Sequence, residues 1–137
     1  MIPAKEALEQ ALRERQGAEL AARFSAAAVA VCGLGGLGSH IAGFLARAGV
    51  GRLILIDFDR VDLTNLHRQQ YKASQVGRYK TEALAENLRE AAPYLSLELR
   101  TVRLTAENVP SLLEGADVIC EALDEAAAKA MLVNTVL

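Results

Sequence analysis

The sequence lacks an excess of charge of either sign. Fifteen Lys and Arg residues stand against 17 Asp and Glu residues, which leaves a formal net charge of -2 over 137 residues. Proteins that bind nucleic acid through its phosphates usually carry a broad basic surface. The composition therefore argues against a nucleic-acid partner, and any anion that the protein binds must be held by a few local groups.

Cysteines and long apolar runs are also scarce. The two cysteines, Cys32 and Cys120, lie in separate apolar segments and have no partner at the short spacing of a zinc or redox motif. No segment approaches the roughly 18 consecutive apolar residues that a membrane-spanning helix requires. We therefore expect a protein of a reducing compartment, the cytoplasm, without a membrane partner. We interpret both cysteines as small buried residues, and for Cys120, which ends a predicted strand, sulfur transfer stays open as the alternative role.

The sequence does contain enough hydrophobic residues for one core. They make up 52% of the chain, and charged residues make up 23%, as is typical of a folded protein. The length predicts a single domain over residues 1–137, because domains commonly contain about 100–150 residues. Alanine and leucine are abundant, which favours helices and argues against an all-β protein.

Alternating strand and helix patterns predict an α/β fold. Ala and Leu at helical spacing predict an N-terminal helical extension within residues 1–25. Strands are predicted at 28–32, 53–56, 95–104 and 116–121, and helices at 39–48, 81–92, 109–113 and 125–136. The order strand, helix, strand requires parallel strands, so we predict a Rossmann-like, mostly parallel sheet with helices on both faces. An apolar stripe of the first of these helices is predicted to face the core: Ile41, Phe44, Leu45 and Ala48.

A glycine-rich loop follows the first predicted strand. Gly33, Gly35 and Gly38 satisfy the pattern G-x-G-x-x-G, and Gly36 adds a fourth glycine. Without Cβ atoms the backbone can approach a phosphate closely, and the next helix directs its free N–H groups at the anion. Asp57, at the end of the second strand, is placed to accept hydrogen bonds from ribose hydroxyls. Because ATP and NAD both offer these groups, the loop predicts a nucleotide site without distinguishing them.

Further charged side chains favour a metal-bound triphosphate over a redox cofactor. Lys80 falls in the first turn of a helix, so we expect it at the sheet edge rather than in the core, and Asp124 follows the fourth strand. In this type of fold, helix N-termini lie beside the carboxyl ends of strands. We therefore expect both side chains at the crevice of the glycine loop. With Arg68 and Asp57, the crevice would hold two cations and two acids, which a nicotinamide cofactor does not need.

These motifs strongly resemble the ThiF family of adenylyltransferases, bacterial relatives of the ubiquitin-activating enzymes. The resemblance extends from near Ser25 to Leu137 and rests on four segments: Gly33–Ser39, Asp57–Val61, Asn65–Gln69 and Lys80. It implies an ATP- and Mg²⁺-dependent enzyme that adenylates the C-terminal Gly-Gly carboxylate of a ubiquitin-like sulfur carrier. The implied carrier is ThiS, which serves synthesis of the thiazole of thiamine, and the implied assembly is a homodimer.

The family pattern also implies a role for each matched residue. The four glycines would bind the nucleotide. Asp57 would bind the ribose, and Arg68 and Lys80 would bind the phosphates. Asn65 would help to shape the phosphate pocket, and Asp124 would bind Mg²⁺. Arg68, Lys80 and Asp124 are the implied catalytic residues. No side-chain nucleophile is required.

Several features leave alternatives open. The C-x-x-C motifs of many relatives are absent, and the sequence ends on a predicted helix, where a further strand would normally cover the sheet edge. We therefore expect a C-terminally truncated sequence that lacks later strands and the carrier-binding part, which leaves the activity of this chain alone open. The alternative functions are adenylation of a tRNA base by a related family member, an NAD-dependent Rossmann oxidoreductase, and a binding module that only dimerises.

Overall fold

The fold is a parallel sheet with helices on both faces, and the computed structural model describes all residues from 1 to 137. The strands are β1 (Ala28–Cys32), β2 (Arg52–Ile56), β3 (Ser96–Arg100) and β4 (Val118–Glu121). The helices are α1 (Lys5–Gln16), α2 (Ala18–Ala26), α3 (Gly38–Ala48), α4 (Lys80–Ala91), α5 (Val109–Leu112) and α6 (Ala126–Val136). The sheet order is β3-β2-β1-β4, and all three pairings are parallel. The predicted Rossmann-like α/β fold with an N-terminal helical extension is confirmed.

The sheet separates two hydrophobic clusters. Alternate residues of β1 and β2 point to opposite faces, as the pleat of a strand requires. Val29, Val31, Leu53 and Leu55 face α3 and α4, whereas Ala30, Cys32, Ile54 and Ile56 face α5 and α6. Since all strands are parallel, their carboxyl ends lie along one side of the sheet, which we call the carboxyl edge.

Strand β3 is shorter than the predicted strand at 95–104. After Arg100 the chain turns, and the Val102 N–H donates to the Arg100 carbonyl at 3.0 Å. Val102 and Leu104 still pack against the second hydrophobic cluster. The apolar alternation therefore continues beyond the strand because it serves the core, although no neighbouring strand pairs with this segment.

The predicted core-facing stripe of α3 is wrong at Phe44, which is 71% exposed. The residues of α3 that are buried are small: Gly38, Ser39, Ala42 and Ala46. The other members of the predicted stripe are half-buried: Ile41, Leu45 and Ala48. Small side chains let the helix approach the sheet closely, and this turns the larger residues outward. A pattern based on hydrophobicity alone gives such alanines too little weight.

The cysteines lie in neighbouring strands but on opposite faces of the sheet. Cys120 pairs with Val31 and not with Cys32, which is one residue further along β1. Both cysteines are free. Burial raises the pKa of the Cys32 thiol to about 12 and also raises the pKa of Cys120. Both thiols therefore stay protonated at neutral pH. The predicted burial is confirmed for Cys32, whereas Cys120 is only half-buried because it lies in β4 at the edge of the sheet.

The N-terminal helices lie on the surface of this unit. No residue of α1 is buried, but Phe24 of α2 packs against the hydrophobic cluster under α3 and α4, and hydrogen bonds attach the segment further. The Tyr94 hydroxyl donates to the Pro3 carbonyl at 2.6 Å, and the Gln16 amide donates to the Ala48 carbonyl at 3.1 Å. None of the six helices has the length and hydropathy needed to cross a bilayer.

Candidate nucleotide-binding site

The loop between β1 and α3 is a tight turn that only glycine can form at two positions. Gly33 has a φ of +98°, and a Cβ there would lie 2.6 Å from the carbonyl oxygen of Ala122, just after β4. A Cβ on Gly38 would lie 1.7 Å from the Gly33 carbonyl oxygen. Both positions therefore exclude a side chain for reasons of backbone packing, and the loop is held against the end of β4.

Gly35 and Gly36 have a different environment, because a Cβ at either position would be in ordinary van der Waals contact with side chains of the segment after β2. A Cβ on Gly35 would lie 3.6 Å from the amide nitrogen of Gln69. A Cβ on Gly36 would lie 3.8 Å from Nε of Arg68. The structure thus places the exposed Arg68 side chain directly beside the glycine loop, where the sequence predicts an anion.

Asp57 joins the end of β2 to the glycine loop. Its Oδ2 accepts a hydrogen bond from the Leu34 N–H at 2.8 Å, and its Oδ1 accepts one from the Asp59 N–H at 2.7 Å. A carboxylate oxygen can accept two hydrogen bonds, so both oxygens keep capacity for ribose hydroxyls. The sequence predicted the ribose contact, which stays a prediction, but it did not indicate that Asp57 also fixes the loop.

Tyr71 holds the same loop from the other side. Its buried hydroxyl donates to the Leu34 carbonyl at 2.6 Å, so both backbone groups of Leu34 are bound by side chains. Burial strongly raises the pKa of Tyr71, and the hydroxyl therefore remains a donor. The Ser39 hydroxyl adds a bond to the Gly35 carbonyl at 2.6 Å. Sequence analysis missed Tyr71 because it lies outside the recognised motif segments.

We expect Tyr71→Phe to lower the free energy of unfolding by about 1–3 kcal/mol, because the Leu34 carbonyl would lose its buried donor. Tyr94→Phe is the matched control. It removes a hydrogen bond of the same length from an exposed tyrosine and should change stability by less than about 0.5 kcal/mol. Urea denaturation measures both values, and equal effects of the two variants would contradict the importance of the Tyr71 bond.

Lys80 is buried in the first turn of α4. The residue is only 6% exposed, and its backbone N–H donates to the Asp59 carbonyl at 3.0 Å. Seven ion pairs link other charged side chains, and none includes Lys80 or Arg68. The prediction that Lys80 is not a core residue is therefore wrong for the burial of its side chain, although its place in the first turn of α4 is as predicted. The Lys80 ammonium group makes no ion pair in the chain and, unlike the rest of its side chain, remains accessible to solvent, which makes Lys80 a candidate for binding an anion.

Acidic and basic side chains meet around Asp59 at the carboxyl edge. Partial burial, with smaller contributions from the carboxylates of Asp57 and Asp124, raises the pKa of Asp59. The positive charges of Lys80 and Arg103 partly oppose this increase. These five groups therefore lie within electrostatic range of one another. The sequence did not indicate a site role for Arg103, because the predicted strand at 95–104 includes this residue, whereas β3 ends at Arg100.

Asn65 supports the segment that carries Arg68. Its Oδ1 accepts from the Asp62 N–H at 2.9 Å, and the Asp62 carboxylate in turn accepts from the Thr64 N–H at 3.1 Å. The hydrogen bonds from Thr64 lower the pKa of Asp62. One end of the Asn65 amide is thus committed to the backbone, and its Nδ2 makes no hydrogen bond within the chain. A contact between Nδ2 and a phosphate stays a prediction.

The predicted magnesium ligand, Asp124, is exposed at the carboxyl edge, two residues after Ala122. No group of three acidic, histidine or cysteine side chains is arranged to hold a metal ion. Mg²⁺ is commonly bound through one or two carboxylates together with substrate phosphates and water. Asp124 and its neighbour Asp59 suit that type of site, and the assignment of Mg²⁺ to Asp124 stays a prediction.

A parallel sheet of this kind, with a glycine loop and unpaired cations at its carboxyl edge, defines a nucleotide-binding protein of the Rossmann type. The model of the ThiF family matches residues 8–136, and the chain belongs to this family.

The chain spans less than half of the length of the curated relatives that it matches. It is 38% identical over 110 residues to the adenylyltransferase and sulfurtransferase MOCS3 of Caenorhabditis briggsae, covering 80% of this chain and 27% of that protein. It is 37% identical over 116 residues to the sulfur carrier protein adenylyltransferase of Thermus thermophilus, covering 84% of this chain and 43% of that protein.

A solved structure with a similar fold is the tRNA N6-threonylcarbamoyladenosine dehydratase TcdA of E. coli in complex with ATP. The TM-score is 0.89 at 30% sequence identity, and the alignment covers 97% of this chain and 56% of that chain. The same enzyme has also been solved in complex with AMP.

Proposed function

We propose that this chain is the nucleotide-binding unit of an ATP-dependent adenylyltransferase. The observation that carries the proposal is the position of Lys80: its side chain is largely buried, but its unpaired ammonium group remains accessible at the carboxyl edge, on the same side of the sheet as the free guanidinium group of Arg68 and the glycine loop. An NAD-dependent oxidoreductase would not need two such cations. The names of the curated relatives and the ATP bound to TcdA support the same proposal.

The proposed reaction transfers AMP to a carboxylate. An oxygen of the carboxylate forms a bond to the α-phosphorus, the bond from this phosphorus to the bridging oxygen breaks, and pyrophosphate leaves with the electron pair. The products are an acyl-adenylate and pyrophosphate. Because both reactants are anions, the reaction depends on holding them together and on stabilising the charge that develops on pyrophosphate.

The chain can supply these functions without a side-chain nucleophile. In the proposed complex, Asp57 binds the ribose, the loop N–H groups and the start of α3 bind phosphate, and Arg68 and Lys80 stabilise the leaving pyrophosphate. Asp124 would hold Mg²⁺. When bound, Mg²⁺ would neutralise phosphate charge beyond what the two side chains achieve. The raised thiol pKa values of Cys32 and Cys120 do not favour a thiolate nucleophile.

For the acceptor, we propose the C-terminal Gly-Gly carboxylate of a ubiquitin-like sulfur carrier. The name of the Thermus thermophilus relative supports this class. The finer assignment to ThiS and to thiamine synthesis, in the cytoplasm, is also a proposal. It is tested by comparing ThiS with other sulfur carriers as the acceptor in one assay.

ATP–pyrophosphate exchange is the direct test. For a version of the protein that includes the carrier-binding part, we expect exchange of labelled pyrophosphate into ATP only in the presence of Mg²⁺ and a carrier that ends in Gly-Gly. A carrier without its last glycine is the control and should give no exchange. In parallel, ATP with Mg²⁺ should raise the unfolding temperature of the chain, whereas NADH should not. Stabilisation by NADH alone would contradict the proposal and favour the oxidoreductase.

A tRNA base is the second candidate acceptor, and the structural similarity to TcdA favours it. The net charge of -2 counts against it. Binding of labelled tRNA at two salt concentrations would decide, since a phosphate-mediated complex weakens steeply as salt rises. Tight, salt-sensitive binding of tRNA and no response to any carrier would replace the carrier proposal.

We also propose that the chain forms a homodimer, as the family resemblance implies. Leu37 and Phe44, which are 59% and 71% exposed, lie on or beside the outer side of α3. Phe44 borders a groove of about 830 Å³ between α3 and α4. Exposed apolar side chains beside a groove are typical of interaction surfaces. Sedimentation velocity measures the assembly state, and a monomer at all concentrations would contradict this proposal.

A further inference from the structure

His40, the third residue of α3, binds the backbone of Arg68 at the carboxyl edge. Its Nε2 lies 3.1 Å from the Arg68 carbonyl oxygen, and the side-chain amide nitrogen of Gln70 lies 3.3 Å from its Nδ1. A carbonyl oxygen can only accept a hydrogen bond. Nε2 therefore carries the proton and donates it, while Nδ1 accepts from Gln70. Because both ring nitrogens have partners within the chain, His40 is not placed to act as a general base.

The peptide group between Arg68 and Gln69 is held at both of its polar ends. The Gln69 N–H donates to the Asn65 carbonyl at 2.9 Å. The Arg68 carbonyl accepts from His40, which is its one donor within the chain. Loss of the His40 side chain would therefore leave this peptide group held at one end only, and it could then rotate.

The Arg68 side chain has no contact of its own that fixes its direction. It makes no ion pair, and its nearest described neighbour is the glycine loop, with Nε 3.8 Å from the place of a Cβ on Gly36. The rotamers open to a side chain depend on the backbone that carries it. The position of the guanidinium group therefore depends on the peptide group that His40 holds.

We propose that His40 is a positioning residue, which holds the Arg68 backbone so that the guanidinium group meets the β- and γ-phosphates of ATP. This inference rests on the proposed function, in which Arg68 stabilises the leaving pyrophosphate. His40 does not touch the nucleotide in this role, and its whole effect passes through Arg68. A charged group that is oriented in advance loses less entropy when the ligand binds.

The alternative is a purely structural role, in which His40 stabilises the fold without a specific effect on the ligand. The two roles differ in three respects. Positioning of Arg68 matters for ATP but not for AMP, which lacks the β- and γ-phosphates. It requires a donor at the reach of Nε2, which the amide of glutamine supplies, whereas the amide of asparagine reaches only as far as Nδ1. It has no effect on binding once the Arg68 guanidinium group is absent.

The experiment measures the affinities of ATP and AMP, each with Mg²⁺, by calorimetry. We expect His40→Ala and His40→Asn to weaken ATP binding by about tenfold, the effect of one hydrogen bond, and to leave AMP binding unchanged. His40→Gln should restore most of the ATP affinity. In a protein that already carries Arg68→Ala, His40→Ala should cause no further loss of ATP affinity, since both changes remove the same interaction.

Gln16→Ala is the matched control. The Gln16 amide donates to the Ala48 carbonyl at 3.1 Å, so this variant loses a side-chain bond of the same length to the backbone at the other end of α3. It should bind both ligands as the parent does.

Three results would overturn the positioning role. They are equal loss of ATP and AMP affinity in His40→Ala, equal ATP affinities of His40→Asn and His40→Gln, and additive losses in the double variant with Arg68→Ala. Thermal unfolding shows whether each variant is folded, and His40→Asn and His40→Gln decide the matter if His40→Ala is not. Full ATP affinity in Arg68→Ala alone would overturn this inference and leave the proposed function standing. A folded parent that binds neither ligand would refute the proposed function as well.

Discussion

Lys80→Met is expected to abolish detectable ATP binding and to leave the free protein folded. The ammonium group makes no ion pair in the chain and is accessible at the carboxyl edge, so it is available to an anion. Its removal should weaken ATP binding by about 100-fold or more, the usual scale for loss of a preorganised charged contact. Methionine fills a similar volume without a charge, and we expect the free energy of unfolding to change by less than about 1 kcal/mol.

Thermal unfolding with and without ATP and Mg²⁺ measures both effects. Lys72→Met is the matched control, because Lys72 is exposed and pairs with Glu90 at 3.1 Å. A surface ion pair contributes roughly 0–1 kcal/mol, so this variant should keep its response to ATP. Normal ATP binding by Lys80→Met would remove Lys80 from the proposed site. An unfolding temperature far below that of the parent would mean that Lys80 is needed for the fold, and the loss of ATP binding would then say nothing about a contact with phosphate.

Gly38→Ala and Gly43→Ala are expected to change stability in opposite directions, although both lie in α3. At Gly38 a Cβ would meet the Gly33 carbonyl oxygen at 1.7 Å, whereas a Cβ at Gly43 has nothing within 4 Å. We expect Gly38→Ala to lower the free energy of unfolding by about 3 kcal/mol or more, because the backbone of the loop must move. Gly43→Ala should raise it by about 0.5–1 kcal/mol, the usual gain from replacing a glycine inside a helix.

Urea denaturation of the two variants and the parent measures these values, and ATP titration reports on the loop. Gly38→Ala should also lose ATP affinity, since displacement of Gly33 disturbs the backbone that faces the phosphates. Gly43→Ala should retain it. If the two substitutions had similar effects, the close packing of Gly38 on Gly33 would not be the reason for glycine at position 38.

The elements that sequence predicts well are those in which one local pattern has one structural solution. The run Ala28–Cys32 followed by glycines predicts a buried strand and a tight turn, and the structure has both. The pattern in α3 was ambiguous, because small residues pack against the sheet more closely than Phe44 can. The hydrophobic alternation that ends at Leu104 was also ambiguous, since residues outside a strand can still face the core.

The site was only partly predictable for a related reason. Glycine spacing and the acid after β2 identify the nucleotide crevice, because a glycine loop lets the backbone approach phosphate and a carboxylate at this place can accept hydrogen bonds from ribose. The contribution of Tyr71 depends on a contact 37 positions away in the chain, with Leu34. The contact of His40 with the Arg68 carbonyl likewise spans 28 positions. Such long-range contacts leave no periodic signal in a sequence.

The double anchoring of Leu34 bears on how quickly a nucleotide can bind. With its N–H held by Asp57 and its carbonyl held by Tyr71, the loop is already ordered before any ligand arrives, and the entropy of ordering it is lost during folding instead of during association. Association should then proceed in one kinetic phase, with a rate constant set by diffusion and electrostatic attraction and without a slow rearrangement that saturates at high ATP concentration.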